Sequence, residues 1–479
     1  MSEIGIKSYA VCIPRLRMDR ASIAAAHSWS LPALKGLGKG ERSFCSWDED
    51  SITMGVEATR ACLTTAAKQQ VESLVFASTT APFADLQNAS LVVNASGLRV
   101  STATLDAGGS LRAGVAALIR ALRSADRGDE VIVAADNRRA KPGSIQEMQY
   151  GSGAAAMQVG SGETIATFLG SASSATQFAD HFRAEGERYD YNWEERWVRD
   201  EGYLKIVPEV VGRLFKESGT AGEAIDHFCM PATISGAAAA VAKRLKIKPE
   251  AVIDNLAARC GDTGAAHPLI MLAVALEKAA PGEKILLIGF GAGCDALLLE
   301  TTDAIRDYKS GSSASAALAR SVTEKSYTKL LSFSDELDLD WGMRSETDAK
   351  TALTQLYRAQ DQVIGFVGGQ CGECSAIQFP RLAACVNCGS IEPLTPYPLA
   401  DQLAKVATFT ADWLMFYPAP PLYVGLVQFD NGARVLMEMV DVDPAQFDVG
   451  STLRMVFRIK EKDSRRHYNR YFWKAVPAI

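Results

Sequence analysis

The sequence predicts an α/β layered body followed by a zinc ribbon and a small β-barrel of the OB type. Three observations carry this expectation. Short apolar runs alternate with helix-period segments up to about residue 305. Cys371, Cys374, Cys385 and Cys388 then form two Cys-x-x-Cys pairs with ten residues between them. Beyond the cysteines, apolar and polar residues alternate in short stretches bounded by turn residues.

In the first region, Ser73-Leu74-Val75-Phe76-Ala77-Ser78, Glu130-Val131-Ile132-Val133-Ala134-Ala135 and Lys284-Ile285-Leu286-Leu287-Ile288-Gly289 read as buried strands. Between the first two, Leu111, Val115, Leu118 and Leu122 recur at the period of one helical face. Residues 306–360 change character: Ser310-Gly311-Ser312-Ser313 reads as a flexible connection, and the charged, helix-prone stretch after it reads as a linker wrapping the first domain. The expected division is 1–165 and 166–305 as two related halves, 306–360 as linker, 361–395 as zinc ribbon and 396–479 as barrel. In the barrel, Asp430-Asn431-Gly432 is a hairpin turn signal between Val424, Leu426 and Gln428-Phe429 on one side and Val435, Met437 and Met439 on the other. Leu453, Met455, Phe457 and Ile459 make a further strand, and Tyr471-Phe472-Trp473 a last one.

The chain has 479 residues, which suggests about three domains. A net charge of -6 gives no general attraction to nucleic acid or anionic membrane, and no apolar run reaches the roughly 18 residues needed to span a bilayer. Met1-Ser2-Glu3-Ile4-Gly5 lacks the basic and apolar regions of a secretion signal. Ten cysteines without such a signal point to a reducing cytoplasm, where the paired cysteines read as metal ligands rather than disulfides. Four thiolates at this spacing suit one tetrahedral, structural zinc ion with no open position for chemistry.

Several segments resemble the thiolase superfamily, nearest to 3-hydroxy-3-methylglutaryl-CoA synthase and β-ketoacyl-ACP synthase III. Asp48-Glu49-Asp50-Ser51-Ile52-Thr53-Met54 is similar to the acidic segment that opens the synthase's first long helix. Gly261-Asp262-Thr263-Gly264-Ala265-Ala266 resembles the family's Gly-Asn-Thr loop, and Gly289-Phe290-Gly291-Ala292-Gly293 its glycine-rich C-terminal loop. The ribbon and barrel resemble the acyl-CoA-associated module that accompanies thiolases as partner or fusion. The resemblance implies a layered α-β-α-β-α fold with two related halves, a coenzyme A thioester or β-keto acid substrate, a homodimer and a thiolase-type protein partner.

The chain departs from that pattern at the chemical positions. The nucleophilic cysteine position, after Thr102-Ala103-Thr104-Leu105, falls on Gly108, and the general acid/base glutamate falls on Thr79. Ser110 is the nearby hydroxyl, either a substitute nucleophile or a helix cap. The family histidine, two residues before a proline, is replaced by Cys229, with His227 two residues earlier on the same side of a strand. The loop asparagine is Asp262, with His267 five residues on. Cys229, His227, Asp262, His267 and Ser110 are therefore the candidate catalytic set, weighed against core packing for Cys229 and a structural role for His227. The main-chain amides of Gly291 and Gly293 are candidate oxyanion donors. Cys12, Cys45, Cys62, Cys260 and Cys294 read as core, and His27, His181 and His467 as surface or packing residues.

This set predicts CoA-dependent making or breaking of a carbon–carbon bond without an acyl-cysteine, with His267 or His227 as base and Asp262 orienting it. The alternative is a non-catalytic scaffold that binds an acyl-CoA for a thiolase or synthase. Nucleic-acid binding by ribbon and barrel is disfavoured, because the barrel shows no basic, aromatic groove.

Overall fold

The computed structural model describes residues 4–124, 128–344 and 351–478. Met1-Ser2-Glu3 of the signal reading and residues 345–350 of the linker reading lie outside the described residues. The chain divides into two compact units, residues 1–93 with 98–337, and 94–97 with 338–479.

The first unit is built on nine strands: β1 Ile4–Cys12, β2 Val71–Ala77, β3 Ala103–Ala107, β4 Asp129–Asn137, β5 Ser152–Ser161, β6 Ala166–Ala175, β7 His227–Cys229, β8 Lys284–Phe290 and β9 Gly293–Thr301. Their order is β7-β8-β9-β6-β1-β5-β4-β2-β3. The expected repeat is visible in this order. Outward from β1, the strands β5, β4, β2 and β3 pair antiparallel, antiparallel, parallel and parallel. Outward from β6, the strands β9, β8 and β7 repeat the first three pairings, and a parallel bridge from Phe228 to Val252 stands where the last strand would be. The halves meet where Gly5 and Ile6 of β1 face Thr167 and Ala166 of β6.

Four helices complete the layers: α1 Ser51–Cys62, α2 Ala113–Ser124, α3 Val207–Ser218 and α4 His267–Lys278. The α1 helix opens with a capping box, Asp50 accepting from the Thr53 amide at 2.9 Å while the Thr53 hydroxyl accepts from the Asp50 amide at 2.8 Å. It covers the outer face of β1, β4 and β5, while α3 covers β6 and β9 from the other side. Between the sheets lie α2 and α4. Strand alternation separates the two cores: Ile285 and Leu287 face the α2/α4 layer, whereas Leu286 and Ile288 face α3. The result is the expected α-β-α-β-α stack. Residues Ala314–Ala319 and Tyr327–Phe333 form further helices of this unit, and Val322–Glu324 pairs with Leu16–Met18.

In the second unit, Ala404–Asp412, Leu422–Phe429, Arg434–Met439, Thr452–Asp463 and Tyr468–Pro477 close into a five-stranded barrel. The hairpin turn forms where the sequence signals it, with the Gly432 amide donating to Phe429 O at 2.9 Å. Val435, Met437 and Met439 point inward and Leu436 outward, as the alternation requires. Phe366, before the first cysteine pair, is buried against the rings of Phe379, Phe429, Phe472 and Trp473.

The seam between the halves sets a testable constraint. A Cβ on Gly5 would lie 2.1 Å from Ala166 O, a backbone atom that cannot move without parting β1 from β6. Gly5→Ala is expected to cost roughly 3 kcal/mol through overpacking. Calorimetry of the full chain should show the first unit melting earlier; an unchanged transition would show that the seam is not tightly packed.

Candidate functional site

The first unit encloses a cavity of about 430 Å3, bordered by Arg20, Arg138, Tyr150, Asp180, His181, Asn255, Asp262 and His267 among others. Its floor is organised by the end of β4, where Asp136 and Arg138 leave the sheet two residues apart.

Asp136 is completely buried. Its Oδ1 accepts from the Ser78 hydroxyl at 3.0 Å, the Thr79 amide at 2.8 Å and the Thr80 hydroxyl at 2.8 Å. Its Oδ2 accepts from the Thr79 hydroxyl at 2.9 Å and the Ala265 amide at 2.7 Å. One carboxylate thereby joins the loop after β2 to the Gly-Asp-Thr-Gly loop. Gly264 has φ +64, and a Cβ there would stand 2.4 Å from Asp136 Oδ2, so the loop passes this close only because that residue is glycine.

Arg138 forms the second cluster. It donates to Asp190 at 2.8 Å, Asp262 at 3.0 Å and the Tyr150 hydroxyl at 2.6 Å, and its guanidinium lies 3.7 Å above the Tyr150 ring. Burial works against its charge, yet Tyr150, Asp262 and Asp190 hold its pKa above the ordinary arginine value. Burial pushes Asp190 up, but the charge and hydrogen bond of Arg138 outweigh it and the carboxyl titrates below the usual range. Burial pushes the Tyr150 phenol up, which keeps it protonated as a donor.

The predicted residues fall into two groups. Asp262 and His267 border the cavity. Asp262 is held by Arg138 and accepts from the Gly264 amide at 3.0 Å. His267 is nearly fully buried at the start of α4, and both ring nitrogens are used. Its Nδ1 accepts from the Thr263 amide at 3.2 Å, and its Nε2 therefore carries the hydrogen that it donates to Asn255 O at 2.8 Å. A ring with its lone pair already bonded to an amide is not a free base, which corrects the expected role of His267. The other candidates are not brought together. Cys229 lies in the α2/α4 core with its thiol toward Met271 O, and burial pushes that thiol far up. His227 shares its strand but pairs with Glu283 at 2.8 Å, away from the cavity lining. The Ser110 hydroxyl donates to Gly291 O at 2.8 Å and accepts from the Arg112 amide, the arrangement of a turn before α2 rather than of a nucleophile. The Gly291 amide donates to Gly293 O at 3.0 Å, so it is not an open oxyanion donor, and neither glycine lines the cavity.

The group the sequence reading missed is His181. It sits on a two-stranded hairpin, paired across to Asn192, and borders the cavity. Its Nδ1 bonds Asp180 Oδ2 at 2.9 Å, which places the hydrogen on Nδ1 and the lone pair on Nε2. Among the described residues Nε2 has no hydrogen-bond partner. An adjacent Asp-His pair was the available signal, but it lies in a stretch without helical or strand periodicity.

In the second unit, the Sγ atoms of Cys371, Cys374, Cys385 and Cys388 all lie within 4.8 Å of one another, with 3.7 Å from Cys371 to Cys388 and 3.6 Å from Cys374 to Cys385. A tetrahedron of Zn–S bonds near 2.3 Å has edges of about 3.8 Å, so the donor set fits zinc. The two loops are copies of one knuckle: Ser375 N donates to Cys371 O and Cys371 N to Ala376 O, and Gly389 N and Cys385 N repeat the pattern with Cys385 O and Ser390 O.

Comparison with known proteins agrees with this architecture. Residues 215–300 match the family described as 3-oxoacyl-[acyl-carrier-protein (ACP)] synthase III C terminal, 362–392 the ChsH2 rubredoxin-like zinc ribbon domain, and 399–458 the ChsH2 C-terminal OB-fold domain. Hydroxymethylglutaryl-CoA synthase of Aeropyrum pernix is 30% identical over 317 residues, 64% of this chain and 88% of that protein. The chain belongs to the hydroxymethylglutaryl-CoA synthase family. The Pyrococcus furiosus synthase is 28% identical over the same length, 64% of this chain and 89% of that protein. Among solved structures, an HMG-CoA synthase complexed with CoA superposes with a TM-score of 0.62 at 16% identity, covering 73% of this chain and 95% of that one. The 3-oxoacyl-(acyl carrier protein) synthase III of Pseudomonas aeruginosa gives 0.56 at 20% identity, covering 63% and 98%. These two show a shared fold.

Two outcomes follow. Asp136→Ala removes the acceptor for five donors, and loss of a buried charged hub is expected to cost about 3 to 5 kcal/mol, read as a large fall in the melting temperature of the first unit. Stripping zinc with a strong chelator, or Cys385→Ala, should release one metal equivalent per chain and melt the ribbon, checked by metal analysis and by proteolysis near residues 371–388.

Proposed function

We propose that the first unit makes or breaks a carbon–carbon bond in a CoA thioester of a β-keto or β-hydroxy acid, without an acyl-cysteine, and that His181 is its base. The observation that carries this reading is the Asp180–His181 pair on the cavity wall, with the ring tautomer fixed by the carboxylate and the second nitrogen free. Family membership supports the CoA thioester and the carbon–carbon chemistry. Gly108 removes the nucleophile of a ping-pong route, and the cysteine thiols of the first unit other than Cys12 are buried.

In the condensing direction His181 takes a proton from the carbon next to a thioester carbonyl, and the resulting enolate attacks a second carbonyl. In the cleaving direction it takes the proton of a β-hydroxyl, and the bond between the α and β carbons breaks as the carbonyl forms. Either way the thioester oxygen gains negative charge, and the Tyr150 hydroxyl is not free to meet it, because it donates to Asp190 at 3.0 Å. Asp262 and Arg138 hold the loop that frames it. A homodimer is part of the proposal, supported by the free edge of β3, where Leu105 is half exposed. A thiolase-type partner for the ribbon and barrel rests on the likeness of those two domains alone.

The scaffold reading draws on the same Gly108 and Thr79, and turnover separates the two. Purified protein is expected to condense or cleave members of a panel of β-keto and β-hydroxy acyl-CoA esters, and to do so after treatment with iodoacetamide. His181→Gln should lower kcat by about 10²- to 10⁴-fold while leaving acyl-CoA affinity in place. His267→Gln should act mainly on stability. Acyl-CoA binding with no turnover on any ester would establish the scaffold instead.

A further inference from the structure

We infer that Arg20 binds a carboxylate at the far end of the substrate's acyl chain, which makes the preferred substrate the monothioester of a dicarboxylic acid. This rests on the CoA-thioester reading above and adds the chemistry of the acyl group.

Arg20 is 8% exposed and borders the cavity. Its Nη2 donates to Ala257 O, and its Nε is buried with no partner. No carboxylate pairs with it among the described residues. Its neighbourhood makes the excess charge plain. Arg42 is buried close by and is pushed down to about 10, first by burial and partly by the charge of Arg20. Glu147, whose charge acts on Arg42, accepts from the Tyr327 hydroxyl at 2.8 Å and the Gly143 amide at 2.7 Å and sits 3.2 Å from His27. Arg42 itself donates to the Glu147 backbone carbonyl at 2.7 Å, and among the described residues neither Arg20 nor Arg42 forms an ion pair. Burial also pushes the pKa of Arg20 itself down, the sign of a cation without compensation.

A buried charge left unpaired is costly, and a ligand carboxylate in the cavity would supply the partner that Arg20 lacks. The contrast with Arg138 in the same cavity is direct: Arg138 has two carboxylates and a phenol, and Arg20 has one carbonyl. A guanidinium fork matches a carboxylate with two parallel hydrogen bonds. Gln146, Gln149 and Asn255 border the same cavity and supply uncharged polar neighbours, while two of its acids, Asp180 and Asp262, are bonded to His181 and Arg138. A phosphate of CoA is the other oxyanion available. Its strongly hydrated charge is a poor fit to a cavity of about 430 Å3, which accommodates an acyl group rather than a nucleotide. Tethering the loop at Ala257, next to Leu256 at φ +58, uses only Nη2 and leaves the rest of the fork unexplained.

The test is calorimetric binding to the full, zinc-loaded chain, with succinyl-CoA, butyryl-CoA, free CoA and free succinate as probes. Succinyl-CoA is expected to bind about tenfold or more tighter than butyryl-CoA, the worth of one charge-assisted contact. Arg20→Gln should remove that difference without changing the butyryl-CoA affinity, and Arg20→Lys should restore part of it. Free succinate should raise the melting temperature of the wild type and not that of Arg20→Gln, a readout that needs neither CoA nor turnover. Equal affinities for the two esters together with no succinate shift overturn the assignment. A loss shared by succinyl-CoA, butyryl-CoA and free CoA in Arg20→Gln overturns it in favour of a phosphate. Absence of turnover with the affinity difference intact would sink the catalytic reading and leave Arg20 as the carboxylate site.

Discussion

The buried carboxylate of Asp136 is the interaction on which the rest of the site depends. Loops at the ends of a sheet are ordinarily its least determined parts, because their backbone groups have no ladder to join. Here two of them are fixed by one acceptor. Ser78, Thr79 and Thr80 give it four donors from the β2 loop, and the Ala265 amide gives a fifth from the loop that precedes α4. Such a group cannot act as an acid or base without dismantling the loops it joins. The carboxylate that reaches Thr79 arrives from β4, and its lone pairs are spent on structure.

That anchoring explains the placement of charge around the cavity. Once Asp136 fixes Gly264, Asp262 is set two residues back, within reach of Arg138, which leaves β4 two residues after Asp136. Arg138 in turn gathers Asp190 and Tyr150, and Asp190 also receives Arg183 at 3.1 Å. The net effect is a wall of paired charges whose donors and acceptors are committed to one another. Against that wall, the two groups with capacity to spare stand out: the Nε2 of His181 and the fork of Arg20.

The fold was largely legible because its cores are written in periodicity. The apolar runs of β2, β4 and β8, the face of α2 and the alternation at Val435, Met437 and Met439 each follow from a layer burying one or both faces of an element. The cysteine pairs were legible because four thiolates at that spacing have one dominant use. The site was legible only where a loop carries a motif, as at Asp262. Cys229 and His227 were placed by alignment to a histidine, yet the strand end that holds them turns one into the core and the other to Glu283. Asp180 and His181 left only the signal of an adjacent Asp-His pair, and Arg20 none, since a side chain's place on a cavity wall is defined by what the fold brings near it. Ser110 shows the converse, a residue whose short-range role as a turn was stronger than its nominal position in an active site.

A reaction without an acyl-cysteine, as proposed, changes what the rest of the cavity must do. A covalent acyl-enzyme fixes its substrate through a bond, and orientation then comes at little further cost in entropy. Without that bond, the reacting carbon must be held over the base by contacts alone, and well-oriented groups are worth several powers of ten in rate. One contact near the thioester leaves the acyl chain free to rotate about it. Two contacts at opposite ends remove that freedom. In the proposed substrate the CoA arm would supply one, and the buried guanidinium of Arg20, with its unpaired Nε, would supply the other. On the proposed reading, Gly108 and Arg20 belong together: a directional ionic anchor does the positioning that a covalent thioester would otherwise do.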